Sequence, residues 1–153
     1  MIRRRFLLVV AVVAAGAVVA GFLLTRGDGV IRPDDPCTER PPLRTWHGVT
    51  LQPIALHALQ LAVRYSREPI FVSQSYRSCR EQAIACRNIC GDAGGCPGRC
   101  ARPGTSYHQI GAAVDITQES LDSPGVVAAL ERAGWCQSER DNDPGHFSYG
   151  GCH

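Results

Sequence analysis

Eight cysteines, all following a long apolar N-terminal run, restrict the possible folds of this chain more than any other feature. They are Cys37, Cys79, Cys86, Cys90, Cys96, Cys100, Cys136 and Cys152. An even number of cysteines in a small exported domain predicts disulfide bonds, in a pairing that the sequence alone does not choose. We therefore expect a small domain that disulfides stabilise.

A structural zinc site built from four of these cysteines is the alternative. Cys86, Cys90, Cys96 and Cys100 form two CxxxC pairs separated by five residues. Structural zinc sites usually have tighter CxxC pairs, and an oxidising compartment disfavours free thiolates. The sequence therefore favours disulfides over a zinc knuckle.

The apolar run extends from Phe6 to Leu24, carries no charge and follows three arginines. As a helix it would be about 28 Å long, close to the roughly 30 Å hydrocarbon core of a bilayer. The arginines before the run favour a cytoplasmic N-terminus and an exported domain. We interpret residues 1–26 as a single-pass membrane anchor; a cleaved signal segment and a secreted domain are the alternative.

The remaining length allows one domain. Residues 27–42 are rich in Gly, Pro and Asp and predict a linker, which leaves residues 43–153 for the folded domain.

The net charge of +2 gives no reason to expect a nucleic-acid partner. All 16 basic residues are arginine, so lysine nucleophiles and lysine Schiff bases are excluded.

Hydrophobic periodicity and turn residues predict a mixture of helices and strands. Helices are expected at about 53–65, 79–88 and 124–133, and strands at about 69–75, 112–117 and 146–149. Residues 90–104 are too rich in Gly and Cys for regular structure and predict a disulfide-pinned loop. Alternation places Asp115 on the strand face opposite Val114 and Ile116, and places His146 opposite Phe147.

Two histidines and one carboxylate, His108, Asp115 and His146, could form a zinc site with one position open for water. His108 and Asp115 are seven residues apart, and this odd separation would place them on opposite faces of a continuous strand. A bend between them is therefore required, and Gly111 is the residue best able to adopt it.

The segment SYHQIGAAVDI, from Ser106 to Ile116, resembles the SxHxxGxAxD signature of a family of zinc peptidases. This is the D-alanyl-D-alanine carboxypeptidase and L-alanyl-D-glutamate endopeptidase family, which includes the vancomycin-resistance carboxypeptidases and related phage endolysins. Two further features of this family occur in the order in which the family has them. One is SYRS at Ser75 to Ser78, with Gln82 downstream, and the other is an acid-x-x-His-aromatic element from Asp143 to Phe147.

The resemblance implies an α+β fold in which a small antiparallel sheet carries the zinc ligands and helices pack against it. It implies that His108, Asp115 and His146 bind one zinc ion and that Asp143 is the general base. Arg77 would bind the carbonyl or carboxylate of the substrate, and Ser106 would support the site. The substrates would be the peptide stems of bacterial peptidoglycan, and the protein is expected to be a monomer.

Asp143 departs from the carboxypeptidase pattern, which usually has glutamate three residues before the last histidine. The shorter aspartate resembles the endopeptidase branch, so the sequence favours an endopeptidase over a strict carboxypeptidase. The alternative function is a non-catalytic, zinc-stabilised module of the same fold that binds the cell wall.

Overall fold

The computed structural model describes residues 24–25 and 29–151, in which short strands alternate with helices. The helices are α1 (Pro53–Tyr65), α2 (Cys79–Cys90), α3 (Gln118–Leu121) and α4 (Pro124–Arg132). The strands are β1 (Leu24–Thr25), β2 (Ile31–Arg32), β3 (Arg44–Trp46), β4 (Val49–Leu51), β5 (Val72–Gln74), β6 (Ala113–Ile116), β7 (Trp135–Cys136) and β8 (His146–Tyr149). The expected α+β class is confirmed.

Four of the strands form one antiparallel sheet in the order β5-β6-β8-β7. Its two central strands pair Val114 with Phe147 and Asp115 with His146. The remaining strands form two hairpins, β1 with β2 and β3 with β4. The small antiparallel sheet that the family resemblance implied is therefore present.

The main apolar core lies between one face of this sheet and helices α1 and α4. Leu59 of α1 and Leu130 of α4 are buried there with Val114, Ile116 and Phe147 of the sheet. Burial of each large apolar side chain contributes about 1.5–3 kcal/mol. Because side chains alternate along a strand, the face that carries Asp115 is left free for other chemistry.

The predicted helices form close to their expected positions. Pro53 opens α1 at a position where its missing N–H is harmless. The Ser123 hydroxyl accepts a hydrogen bond from the Val126 N–H and caps α4. Helix α2 continues two residues beyond the predicted end to Cys90, and Gly91, with φ of 75°, terminates it.

Four short features were not predicted from the sequence: the β1–β2 pair, the β3–β4 hairpin, α3 and β7. Each of these strands and the helix is two to four residues long, which is too short for a periodic pattern to be recognised. The strand expected at 69–75 is also shorter than predicted, because only Val72–Gln74 pairs with β6.

Disulfides join Cys37 to Cys79, Cys86 to Cys100 and Cys90 to Cys96. Cys136 is also disulfide-bonded, and Cys152 lies outside the described residues. The alternative of a zinc knuckle is wrong, because its four proposed ligands are consumed by two disulfides.

Residues near the N-terminus of the described chain contact the folded domain. Val30 is fully buried against Ile110 and Ala112. The buried side chain of Gln52 accepts a hydrogen bond from the Ile31 N–H at 2.8 Å and donates to the carbonyls of Ile31 and Ile110. Part of the segment predicted as a linker, 27–42, therefore packs on the domain.

The predicted anchor, residues 1–26, lies outside the described residues except for Leu24 and Thr25. Within the described ranges, no helix combines the length and apolar character needed to cross a membrane.

Gly111 is placed where a side chain would be strained. Its φ is 68°, and a Cβ atom there would lie 2.6 Å from the Leu43 side chain and 3.0 Å from the Gln52 backbone nitrogen. Gly48 offers a matched control, since its φ is 82° but no atom lies within 4 Å of its Cβ position. We expect Gly111→Ala to lower the free energy of unfolding by about 2–4 kcal/mol and Gly48→Ala by about 1 kcal/mol. Urea denaturation with intact disulfides measures both, and equal losses would contradict the packing argument.

Candidate metal centre and groove

The three candidate ligands come from two neighbouring strands and the turn that precedes one of them. Asp115 on β6 and His146 on β8 are directly paired across the strands. His108 lies in the turn before β6, and Gly111, with φ of 68°, ends that turn. The bend predicted between His108 and Asp115 is therefore present at the expected glycine.

Each of the three residues has one side-chain atom that lies at nearly the same distance from the corresponding atoms of the other two. Asp115 Oδ1 lies 3.1 Å from His108 Nε2 and 3.0 Å from His146 Nδ1, and the two nitrogens are 3.2 Å apart. Tetrahedral zinc with bonds of about 2.0–2.1 Å would separate adjacent ligand atoms by about 3.3 Å. The spacing therefore fits one small cation.

The protonation of His108 supports the same conclusion. Its Nδ1 lies 2.6 Å from the Ser75 carbonyl oxygen, which can only accept a hydrogen bond, so Nδ1 carries the proton. In a neutral imidazole, Nε2 then presents a lone pair to Asp115 Oδ1, which is also an acceptor. Two facing acceptors are stabilised by a cation between them, and a carbonyl behind the ring is the usual support for a metal-binding histidine.

Asp115 has the charge that a metal ligand needs. Burial by itself would raise the pKa of this carboxyl group, but the close contacts with the imidazole rings of His108 and His146 lower it by more, and the net pKa is well below its ordinary value. Asp115 is therefore ionised at neutral pH. The His108 ring beside it is almost fully buried, with 3% of its surface exposed.

Arg77 and Ser106, both predicted as site residues, lie beside these ligands. The Arg77 guanidinium is 3.5 Å from Asp115 Oδ2, and it donates to the side-chain carbonyls of Gln82, at 2.9 Å, and Gln74. The Ser106 hydroxyl accepts a hydrogen bond from the His108 backbone N–H at 3.3 Å. Ser106 thus supports the turn that carries His108.

Asp143 and His146 are the first and last residues of one backbone turn. The His146 N–H donates to the Asp143 carbonyl at 3.0 Å, and the Asp143 N–H donates to the Glu139 carbonyl at 2.7 Å. The Asp143 side chain is exposed and lines the same cavity as the candidate ligands. All six residues that the resemblance assigned to the chemistry or its support thus line one cavity.

This cavity is a groove of about 1210 Å³, and we call it the active-site groove. One wall is residues 95–102, which we call the cysteine loop, and another, which we call the acidic wall, comprises Ser138, Glu139, Asp141, Asn142 and Asp143. The sequence predicted a disulfide-pinned loop but did not identify residues in it that face the site. The Gln74 side chain, which contacts Arg77, and the Ser75 carbonyl, which contacts His108, were also missed. A backbone acceptor such as the Ser75 carbonyl leaves no signal in the sequence.

The chain resembles known proteins in structure. No protein-family model and no curated protein matches the sequence. Solved structures that are similar include VanYB in complex with D-alanine-D-alanine, with a TM-score of 0.57 and 22% identity over 76% of this chain and 81% of that chain. A mutant of the vancomycin-resistance D,D-pentapeptidase VanY from the VanB-type cassette, in complex with Zn(II), has a TM-score of 0.57 and 21% identity over 78% of this chain and 84% of that chain.

A third solved structure is the L-Ala D-Glu endopeptidase ChiX from Serratia marcescens, with a TM-score of 0.48 and 24% identity over 65% of this chain and 80% of that chain. The likeness to the two VanY structures shows that this chain shares their fold, as the sequence resemblance implied.

The geometry predicts that His108, Asp115 and His146 together bind a divalent metal ion. Loss of a residue that only supports a metal ligand typically weakens metal binding by roughly 10- to 100-fold. We expect His108→Ala and Asp115→Ala to weaken zinc binding by more than this, because each removes a ligand. His57→Ala, an exposed histidine on α1, is the control and should bind zinc like the parent protein. Competition with a chromophoric chelator measures these affinities, and equal affinity in all three variants would refute the site.

Proposed function

We propose that this chain, which has the fold of the VanY peptidases, is a zinc-dependent peptidase that hydrolyses bonds in the peptide stems of bacterial peptidoglycan. The observation that carries the proposal is the convergence of His108, Asp115 and His146 in a groove that also holds Asp143 and Arg77. Each of these residue types has a defined part in hydrolysis of a peptide bond.

Three protein ligands with one open position are the arrangement of catalytic rather than structural zinc sites. Zinc bound in this way lowers the pKa of a water molecule to about 7 and polarises a carbonyl group. The role of the three ligands is then to hold the ion, and the Ser75 carbonyl fixes the orientation of the His108 ring.

Asp143 is proposed as the general base. Its exposed carboxylate lines the groove, and its backbone is tied to that of His146. A carboxylate in this position can accept a proton from the attacking water and pass it to the leaving amine. The connection through one turn keeps the base at a fixed place relative to a metal ligand, which is what proton transfer requires.

Arg77 is proposed to bind the substrate carbonyl or carboxylate. It remains charged at all relevant pH values and offers a planar set of donors. Its contacts with Gln74, Gln82 and Asp115 hold the guanidinium at the floor of the groove. A positive charge so placed stabilises negative charge that develops on the substrate.

We further propose that the bond cut is of the L-alanyl-D-glutamate endopeptidase type rather than the D,D-carboxypeptidase type. The support is Asp143, whose side chain is one methylene shorter than the glutamate of the carboxypeptidase pattern. An error of about 1 Å in the position of a catalytic group can cost about 100-fold in rate, so the two bases are not interchangeable in one site.

The proposed location of the domain is the outer face of the cytoplasmic membrane, held there by the N-terminal apolar run. Three disulfides among the described residues support an oxidising compartment. The arginines before the apolar run support the same orientation.

Digestion of purified muropeptides, analysed by mass spectrometry, tests the activity and identifies the bond. We expect cleavage that a chelator abolishes and added zinc restores, with one zinc ion per chain. If a zinc-loaded protein binds the cell wall but releases no product, the non-catalytic module is the correct function instead.

Asp143→Ala tests the general base. We expect kcat to fall by about 100- to 10,000-fold, because the proton transfer loses its acceptor, while zinc content is retained. Asp34→Ala removes an exposed carboxylate that does not line the groove and should leave kcat unchanged. Full activity of Asp143→Ala would remove this residue from the mechanism.

A further inference from the structure

We infer that Arg99 and Arg102 of the cysteine loop select stem peptides with a free carboxylate over the same peptides in amidated form. This inference rests on the proposed function and names the substrate class of its groove. It concerns two arginines that neither the sequence signature nor the metal centre includes.

Both arginines line the active-site groove. Arg99 and Arg102 are exposed, and they share the groove lining with His108, Asp115 and His146. A substrate that reaches the metal centre through this groove therefore passes along the cysteine loop. The groove is also large enough, at about 1210 Å³, to hold several residues of a peptide.

Within residues 29–151, neither guanidinium has an acidic partner. Two other arginines do form such pairs: Arg77 with Asp115 and Arg140 with Glu131. A guanidinium without an acidic partner has two parallel N–H groups available in one plane. These can donate two hydrogen bonds to the two oxygens of a substrate carboxylate. A primary carboxamide has one acceptor oxygen and no charge, so it forms a weaker contact with the same fork.

The cysteine loop holds these arginines in place more firmly than an ordinary surface loop would. Cys96 and Cys100 of the loop are each joined to α2, by the disulfides Cys90–Cys96 and Cys86–Cys100. Gln82 of α2 donates a hydrogen bond to the Ala101 carbonyl at 2.8 Å, between the two arginines in sequence. A pre-ordered loop loses less conformational entropy on binding, so its charged contacts contribute more to affinity.

The acidic wall affects the direction in which a substrate lies in the groove. That wall carries Glu139, Asp141 and Asp143, whose exposed carboxylates repel a substrate carboxylate. The two walls approach each other at Gly98, where a Cβ atom would lie 3.9 Å from the Asn142 side-chain nitrogen. A stem peptide is therefore oriented with its carboxylate toward the cysteine loop and away from the wall that holds the proposed base.

Matched substrate pairs test this inference. Each pair is one stem peptide with a given carboxyl group free or converted to a primary amide, and the three pairs differ at the glutamate α-carboxyl, the diamino-acid carboxyl and the C-terminal carboxyl. We expect the parent protein to prefer the free form of at least one pair by about tenfold in kcat/KM, mainly through KM. Equal kcat/KM within all three pairs would overturn the inference.

The double variant Arg99→Gln with Arg102→Gln should lose this preference, because its kcat/KM for the free form should fall to about that for the amidated form. Arg99→Lys with Arg102→Lys keeps the charge without the fork and should retain part of the preference. Arg140→Gln removes an exposed arginine outside the groove and should retain all of it. An unchanged preference in the Gln double variant would show that other residues read the carboxylate.

Calorimetric titration of the zinc-loaded protein with the same peptide pairs separates this inference from the proposed function. If no peptide is cleaved, the proposed function fails, and tighter binding of the free form that the Gln double variant loses would still support the inference. If peptides are cleaved but the free and amidated forms bind equally, only the inference fails.

Discussion

The contact between Asp115 and His146 across two paired strands is the interaction on which the rest of the site depends. Both side chains are fixed by the register of β6 and β8, so a shift of one residue would turn them to opposite faces. His108 joins them because a turn that ends at Gly111 precedes β6 and because the Ser75 carbonyl orients its ring. The positions of the three candidate ligands thus follow largely from backbone geometry.

The two faces of the four-stranded sheet have different roles: one packs in the apolar core, and the other carries candidate site residues. Leu59, Leu130 and Phe147 pack on one face, where α1 and α4 cover it. The other face carries the candidate ligands and opens into the groove. A domain of this size has a limited core, and disulfides reduce the conformational freedom of its long irregular segments. They also fix the cysteine loop that forms one wall of the groove, so the same bonds serve both stability and the shape of the groove.

Much of the fold and the site could be predicted from the sequence, and the successes have a common physical origin. The bounds of α1 were predicted because an apolar face and a helix-opening proline are local signals. The orientation of Asp115 and His146 followed from strand alternation, and the bend at Gly111 from an odd residue separation. The β3–β4 hairpin and α3 were missed because they are too short to show a period, and the contact of Arg77 with Asp115 depends on side-chain packing.

The sequence by itself determined which residues could bind a metal, which segments would be regular and that the cysteines would be oxidised, because residue chemistry and periodicity are local properties. Only the tertiary structure decided which cysteines pair, how close the three ligands lie and which loop faces them. These depend on contacts between residues far apart in the chain, such as Gln52 with Ile110 and Cys37 with Cys79. Such contacts form when the whole core packs, and no single segment encodes them.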